Sequence, residues 1–429
     1  MVEAAVGVAV LESERPHDAA TRLKIATDTI AERFVNERIT IPLSFRGSTP
    51  CKPEDTYSNT ILGASKSQRT LLRRICLNGS NTGSNRDRGY CSNMKLALTF
   101  GYWGAAPTAQ FVEIAQAAEA AGFDSVWTAE SWGNDAFGFL TWIAAHTSRV
   151  RLGTGVVQLA ARTPTATAMA AMTLDHLSGG RMILGLGVSG PQVVEGWYGR
   201  PSDRPLARTR EYVDIVRQVL RREGPVTNDG EFFPLPYNGP GSTGLGKPLK
   251  IMTHPLRSEI PIFLGAEGPK NVTQTAEIAD GWLPLYYSPF RQDVYAEQLR
   301  AAKPDFEITA LAAFKVTNDV SEALWPVRAM LGFYVGGMGA KGQNYHTKLM
   351  ARMGFAAEAE KIQDLFFAGK RDEAIAAVPE EFADEISLVG SPKRIRERLD
   401  VWRSSPVTSL MVSARSTDEV RQIAEVFFG

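Results

Sequence analysis

From Met94 onward the chain alternates short apolar runs with amphipathic stretches of helical period, and this rhythm limits the fold more than any other feature. The apolar runs fall at 94–100, 124–128, 150–157, 182–186, 261–265, 281–285, 307–316 and 409–413. Between them the period lengthens. Phe111, Ile114, Ala115 and Ala118 keep one apolar face over 108–121, and Tyr212, Ile215, Val216, Val219 and Leu220 do the same over 204–222. Further helices are predicted at 136–147, 164–177, 270–279, 290–302, 319–331, 391–403 and 417–428. Gly122 reads as a C-cap, Thr163-Pro164 as an N-cap with proline at the first helical position, and Ser178-Gly179-Gly180 as a stop. Strand followed by helix, eight times over, predicts an α/β fold with a parallel sheet. Eight such units in the 336 residues (429 − 93) after Asn93 match a (β/α)8 TIM barrel, which needs about 250 residues, with insertions. The insertions are placed at 223–259, with a hairpin over Val226–Leu235 turning at Asn228-Asp229-Gly230, and at 332–385, which opens on the Gly-rich GGMGAKG.

Residues 1–93 share none of this rhythm. All three cysteines lie there and all eight tryptophans lie beyond it. The stretch 77–93, LNGSNTGSNRDRGYCSN, has too little apolar surface to offset its ordering entropy and reads as disordered or linker. Because Met94 begins the first convincing strand, the expectation is that it is the natural start. Residues 1–93 are then a poorly ordered N-terminal extension or the product of an upstream start. Lys and Arg number 47 against 47 Asp and Glu, and this balance speaks against a dedicated nucleic-acid or anionic-membrane binder. No run of 18 apolar residues exists to span a bilayer, and Val6–Leu11 lacks the basic flank of a signal peptide. Cys51, Cys76 and Cys91 have neither metal-ligand nor disulfide spacing, so a soluble cytoplasmic protein with a small-molecule substrate is expected.

In a β/α barrel the site lies at the carboxyl ends of the strands. In order these read Phe100-Gly101-Tyr102-Trp103, Glu130-Ser131-Trp132, Gly155-Val156-Val157-Gln158, Gly187-Val188-Ser189-Gly190, Gly265-Ala266-Glu267-Gly268 and Tyr286-Tyr287. The rim is rich in glycine and aromatics. It holds no metal-spaced His/Asp/Glu cluster and no serine nucleophile elbow. Such a rim suits a large flat cofactor approached by backbone. Gly185-Leu-Gly187-Val-Ser-Gly190 also fits the dinucleotide fingerprint, but the helical stretch from Pro191 to Tyr198 is too short for the crossover that reading requires.

Four segments carry a resemblance to a known family: FDSVWTAES at 123–131, RVRLGTGVVQLAARTPTATAMAAMTLDHLSGGRMILGLGVSGPQVVEGWYG at 149–199, PIFLGAEGPKNVTQTAEIADGW at 261–282 and LVGSPKRIRERL at 388–399. Residues 94–429 resemble the luciferase-like monooxygenase superfamily, and within it the branch dependent on coenzyme F420, an 8-hydroxy-5-deazaflavin. The resemblance implies a non-prolyl cis peptide at Gly155-Val156, forming a bulge behind the tricyclic ring. It implies that Glu130 and Ser131 reach toward the ring or substrate, with Glu130 the candidate acid/base, and that Ser189, Gly190 and Gln192 meet the cofactor's polar edge or side chain. Gly265, Ala266, Gly268 and Lys270 would hold a phosphate at a helix N-terminus. Trp103, Trp132 and Tyr286 would shape the substrate cavity, and a homodimer is compatible with the family.

Flavin members commonly show a histidine just after the strand-2 glutamate, where this chain has Ser131. His146 and His176 fall near helix C-termini and read as caps or surface residues, whereas His254 and His346 lie in the insertions. The expected activity is therefore F420-dependent hydride transfer to or from a carbonyl/alcohol or C=C substrate. An FMN-dependent monooxygenase and a non-catalytic flavin carrier stand as the alternatives. No metal is expected.

Overall fold

The computed structural model describes residues 94–102 and 109–429, and the expectations for 1–93 and for Trp103 lie outside the described residues. The chain order is β1 (Lys95–Thr99), α1 (Ala109–Ala120), β2 (Ser125–Thr128), α2 (Ala136–Ala144), β3 (Arg151–Thr154), β4 (Val157–Gln158), α3 (Pro164–Ser178), β5 (Met182–Gly187), a single turn α4 (Pro191–Val194) and α5 (Pro205–Arg221). Next come β6 (Ile262–Gly265), α6 (Pro269–Ile278), β7 (Gly281–Leu283), β8 (Glu307–Leu311), β9 (Ala313–Val316) and α7 (Val320–Gly337). The last part holds α8 (Tyr345–Arg352), α9 (Ala356–Phe367), α10 (Arg371–Ala376), α11 (Glu380–Glu385), β10 (Ser387–Gly390), α12 (Pro392–Arg403), β11 (Ser409–Val412) and α13 (Thr417–Phe428).

Eight strands close into a ring in the order β1-β2-β3-β5-β6-β7-β8-β11, every pair parallel, with β11 returning to β1 at Lys95↔Ser409. Alternate residues of each strand face the helices or the lumen. Leu96, Leu98, Val126, Leu152, Leu184 and Leu186 join the outer core under the helices. Ala97, Trp127, Ile183, Phe263 and Met411 form a separate cluster that fills the lumen, with the Trp127 and Phe263 rings 5.7 Å apart. Glycines make room for this cluster. A Cβ at Gly153 would lie 2.2 Å from the Trp127 ring, and one at Gly281 would lie 2.7 Å from Phe263. The amino end of the lumen is stoppered by charge: Arg151 binds Glu307 at 2.7 Å and Asp124 at 2.6 Å, and Lys95 binds Glu307 at 3.0 Å.

The local signals act as read. Thr163 Oγ accepts from the Ala166 N–H, Pro164 opens α3, and Gly179 ends it at φ 69°. Five sequence expectations change. The run 150–157 is broken at Gly155-Val156, and its far end, β4, pairs with β5. The run 307–316 divides as well: β8 stays in the barrel, while β9 turns out to pair with the unpredicted β10. The helix expected over 290–302 is two 3-10 segments, Pro289–Tyr295 and Gln298–Ala301. The expected hairpin reduces to single bridges, Asn228↔Leu235 and Val226↔Leu249, because Glu211 Oε1 takes the Asn228 side chain and the Phe233 N–H into its own hydrogen bonds. The helix predicted to stop near 331 runs on through Gly336 and Gly337, whose missing Cβ atoms let Phe366 of α9 pack against α7.

Candidate active site

At the carboxyl end of the lumen the neighbouring strands β5 and β6 end in glycine, and Gly155 directly follows β3. The backbone passes from β3 through Gly155 into Val156 by a cis peptide bond. The Val156 side chain turns toward β5 and β6, where a Cβ at Gly187 would lie 2.5 Å from it and one at Gly265 would lie 3.4 Å from it. Val156 is thus the floor of a slot whose walls on that side are bare backbone. Thr154 locks the layer beneath, its hydroxyl donating to the Gly185 carbonyl and accepting the Gly185 N–H, both at 2.8 Å.

One edge of the slot is polar and tightly ordered. Gln158 donates to the Glu130 carbonyl at 3.0 Å and accepts from the Ser189 hydroxyl at 2.6 Å. The Glu130 N–H donates to the Val156 carbonyl at 3.1 Å, so β2's exit and the bulge hold each other. The Glu130 carboxylate is buried, and both its oxygens accept from Arg162 Nη1, at 2.6 and 2.8 Å. Its remaining neighbours are the Gln158 N–H at 3.5 Å and the Ala136 N–H at 3.4 Å. A carboxylate so occupied is a fixed acceptor. The residue the sequence offers as acid/base is thus paired with Arg162, which also binds Asp135. Ser131 follows at the rim, its carbonyl accepting from Tyr198 at 2.6 Å, and Trp132 is exposed beside it. Gly190 caps α4, and a Cβ there would lie 3.0 Å from the exposed Gln192 side chain.

The opposite edge comes from β6, β7 and the second insertion. Ala266 is buried, its carbonyl taking the Trp282 indole N–H at 2.8 Å. Gly268 caps α6 without a side-chain bond, and Lys270 in the first turn is exposed and makes no ion pair among the described residues. Glu267 lies between them and turns the other way, its Oε2 2.8 Å from His346 Nδ1 of α8. The pair is at ion-pairing distance but not aligned as a hydrogen bond. Arg352, one helix length on, donates to the Glu267 carbonyl at 2.8 Å and fixes α8 over the mouth. Tyr286 is 2% exposed, and its hydroxyl has no hydrogen-bond partner. Burial, then Tyr334 and Glu267, push its phenol well above the usual tyrosine value. The Tyr286 and Tyr334 rings stand edge-on to His346, at 5.8 and 5.1 Å.

The structure thus brings Glu130, Ser131, Gly155, Val156, Ser189 and Gly265 to one slot, and Tyr286 to its far side. Gly268 and Lys270 stand at the start of α6, beyond that wall. Sequence reading missed Arg162, Gln158 and Tyr334. Arg162 sits in a loop before α3 with no pattern of its own, and only the closed ring shows that it returns to β2. Glu267 and His346 were visible as residue types but lie 79 positions apart (346 − 267), with no spacing to connect them. His146 and His176 are exposed and bond backbone carbonyls, in keeping with surface roles. Among the described residues no group of three or more His, Cys, Asp or Glu could hold a metal, and no helix is long and apolar enough to cross a membrane.

A closed parallel ring with a packed lumen and a glycine-walled carboxyl mouth defines an α/β-barrel enzyme whose reactants meet above the strands. More narrowly, the chain belongs to the luciferase-like monooxygenase family, whose model matches residues 93–409, and it is an oxidoreductase. It is 53% identical over 342 residues, 78% of this chain and 99% of the other, to a Mycobacterium tuberculosis protein named "Putative coenzyme F420-dependent oxidoreductase". In fold it is similar to the coenzyme F420-dependent tetrahydromethanopterin reductase of Methanopyrus kandleri, with a TM-score of 0.61 at 23% identity over 78% of this chain and 99% of that one. An F420-dependent secondary alcohol dehydrogenase aligns with a TM-score of 0.60 at 18% identity, over 78% of this chain and 98% of that one.

Proposed function

We propose that this barrel is an F420-dependent oxidoreductase that moves a hydride between the deazaflavin and a small organic substrate. The observation that carries the reading is the slot over Val156, walled by Gly155, Gly187 and Gly265, which offers backbone and one apolar side chain to a planar ring. Val156 seats directly on Gly187, where a Cβ would displace it, so that side of the mouth carries no other side chain, as a flat tricycle requires. The 53% identity to the mycobacterial relative supports F420 as the occupant, as does serine rather than histidine at 131.

When bound, the cofactor would supply a two-electron carrier whose C5 gives or takes a hydride. The chain does the rest. Val156 supports the ring from behind. Gln158 and Ser189, already hydrogen-bonded to each other, present their remaining valences to its polar edge. Glu130 fixes the bulge through its backbone and Arg162, and acts on the reaction through that geometry. Gly265, Ala266, Gly268 and Lys270 offer the start of α6 and one cation to the anionic side chain. Trp132 and Tyr286 bound the substrate volume.

Mixing the full chain with reduced F420 and a panel of ketones and enones, and following deazaflavin absorbance, tests this. Substrate-dependent reoxidation is expected. Oxygen consumption supported by FMN, with F420 inert, would overturn it in favour of a monooxygenase. Stoichiometric cofactor binding without turnover on any substrate would favour a carrier.

A further inference from the structure

The second insertion delivers a polar cluster to the mouth that no part of the slot itself uses. His346 on α8 meets Glu267 at the exit of β6, two residues past Gly265, and both side chains are largely buried, at 15% and 13% exposure. The pairing uses Nδ1 of the imidazole. The other ring nitrogen, Nε2, makes no hydrogen bond among the described residues, and the side chain keeps 15% of its exposure. The Tyr286 ring, whose hydroxyl is buried and unpaired, stands edge-on to the imidazole with centroids 5.8 Å apart, and Tyr334 from α7 stands 5.1 Å from it. A buried hydroxyl without a partner is costly, and one that lies beside a carboxylate-paired imidazole is placed to receive a ligand oxygen.

We propose that His346, positioned by Glu267, gives and takes the proton that accompanies hydride transfer, and that the substrate is a carbonyl compound or its alcohol. This rests on the hydride-transfer reading above. In the reducing direction a C–H bond forms at the carbonyl carbon with hydride from the reduced deazaflavin, the C=O π pair moves to oxygen, and that oxygen takes the proton from Nε2–H. Oxidised cofactor, alcohol and neutral imidazole result, and water returns the proton to His346. Alcohol oxidation is the reverse. The Tyr286 hydroxyl selects an oxygen-bearing substrate, because a carbonyl oxygen supplies its missing partner and an isolated C=C does not. Glu267 stands at ion-pairing distance from Nδ1, and a small turn of either side chain would give the carboxylate–imidazole hydrogen bond that orients a catalytic histidine.

The test compares parent, His346→Ala, His346→Gln, Glu267→Gln and Tyr286→Phe in the full chain. It uses cyclohexanone and cyclohexanol for turnover, and separate fluorescence titration and thermal unfolding for F420 affinity and Tm. Both His346 variants should lose about 100-fold or more in kcat with F420 affinity and Tm held, and free imidazole should restore part of the Ala variant's rate. Glu267→Gln should lower kcat with KM nearly unchanged, and Tyr286→Phe should raise KM for the ketone. An unchanged kcat in both His346 variants would overturn the proton role while leaving hydride transfer standing. So would losses of rate, F420 affinity and Tm in parallel. A parent that binds F420 and reduces only C=C bonds would overturn the substrate class. A parent that does not bind F420 would overturn the hydride-transfer reading and this inference with it.

Discussion

At Gly185 one hydrogen atom decides whether two strands can meet. A Cβ there would lie 1.7 Å from the Thr154 carbonyl oxygen, just past the Gly153↔Ile183 end of the β3–β5 pairing. Gly185→Ala should cost about 3 kcal/mol in urea unfolding, whereas Gly224→Ala, with open space around it, should stay within about 1 kcal/mol of the parent. Arg162 is the second decisive residue. Removing it as Arg162→Met leaves the buried Glu130 carboxylate without its partner and should cost about 3 kcal/mol, the low end for a broken buried pair because Arg162 is partly exposed. If Glu130 orders the bulge, F420 affinity should fall along with stability in that variant. Fluorescence titration beside urea unfolding checks both.

At the scale of elements the barrel's amino end makes its own prediction. Glu307 opens β8 inside the lumen. Burial pushes its carboxyl up, but hydrogen bonds and charge from Arg151 and Lys95 win and hold it below the usual glutamate value near 4.5. A lowered native value means that its stabilising contribution is complete above the unfolded value and is lost as pH falls through the native one. The parent should therefore lose Tm as pH drops below about 4.5, and Glu307→Gln should show a flatter acid limb, read by calorimetry across that range. The elements differ in how legible they were. The eight barrel strands could be read because each is a short apolar run before a periodic helix, and α3 because Thr163-Pro164 and Gly179-Gly180 punctuate it. The β9–β10 pair could not, since Ala313–Val316 continues the run begun at Glu307 and its partner starts 71 positions past Val316 (387 − 316). The 3-10 segments at 289–301 carry helical composition. Only Arg291, whose guanidinium binds Glu385 and the Met353 carbonyl, explains why the turn is tied to the insertion.

For the whole molecule, the mouth is built from two sources. The slot's Gly155, Val156, Ser189 and Gly265 were legible because alternation puts them at strand ends and the family resemblance gives those ends a role. The other wall was not, because Glu267 and His346 meet only after α8 is fixed over β6 by Arg352. The central claim is that this mouth takes a deazaflavin ring against Val156. Its most direct test is an equilibrium titration of the full chain with F420, followed by fluorescence, beside the same titration with FMN. Saturable binding of one F420 per chain, with FMN much weaker, is the predicted result. Tight FMN binding with no F420 uptake would contradict it.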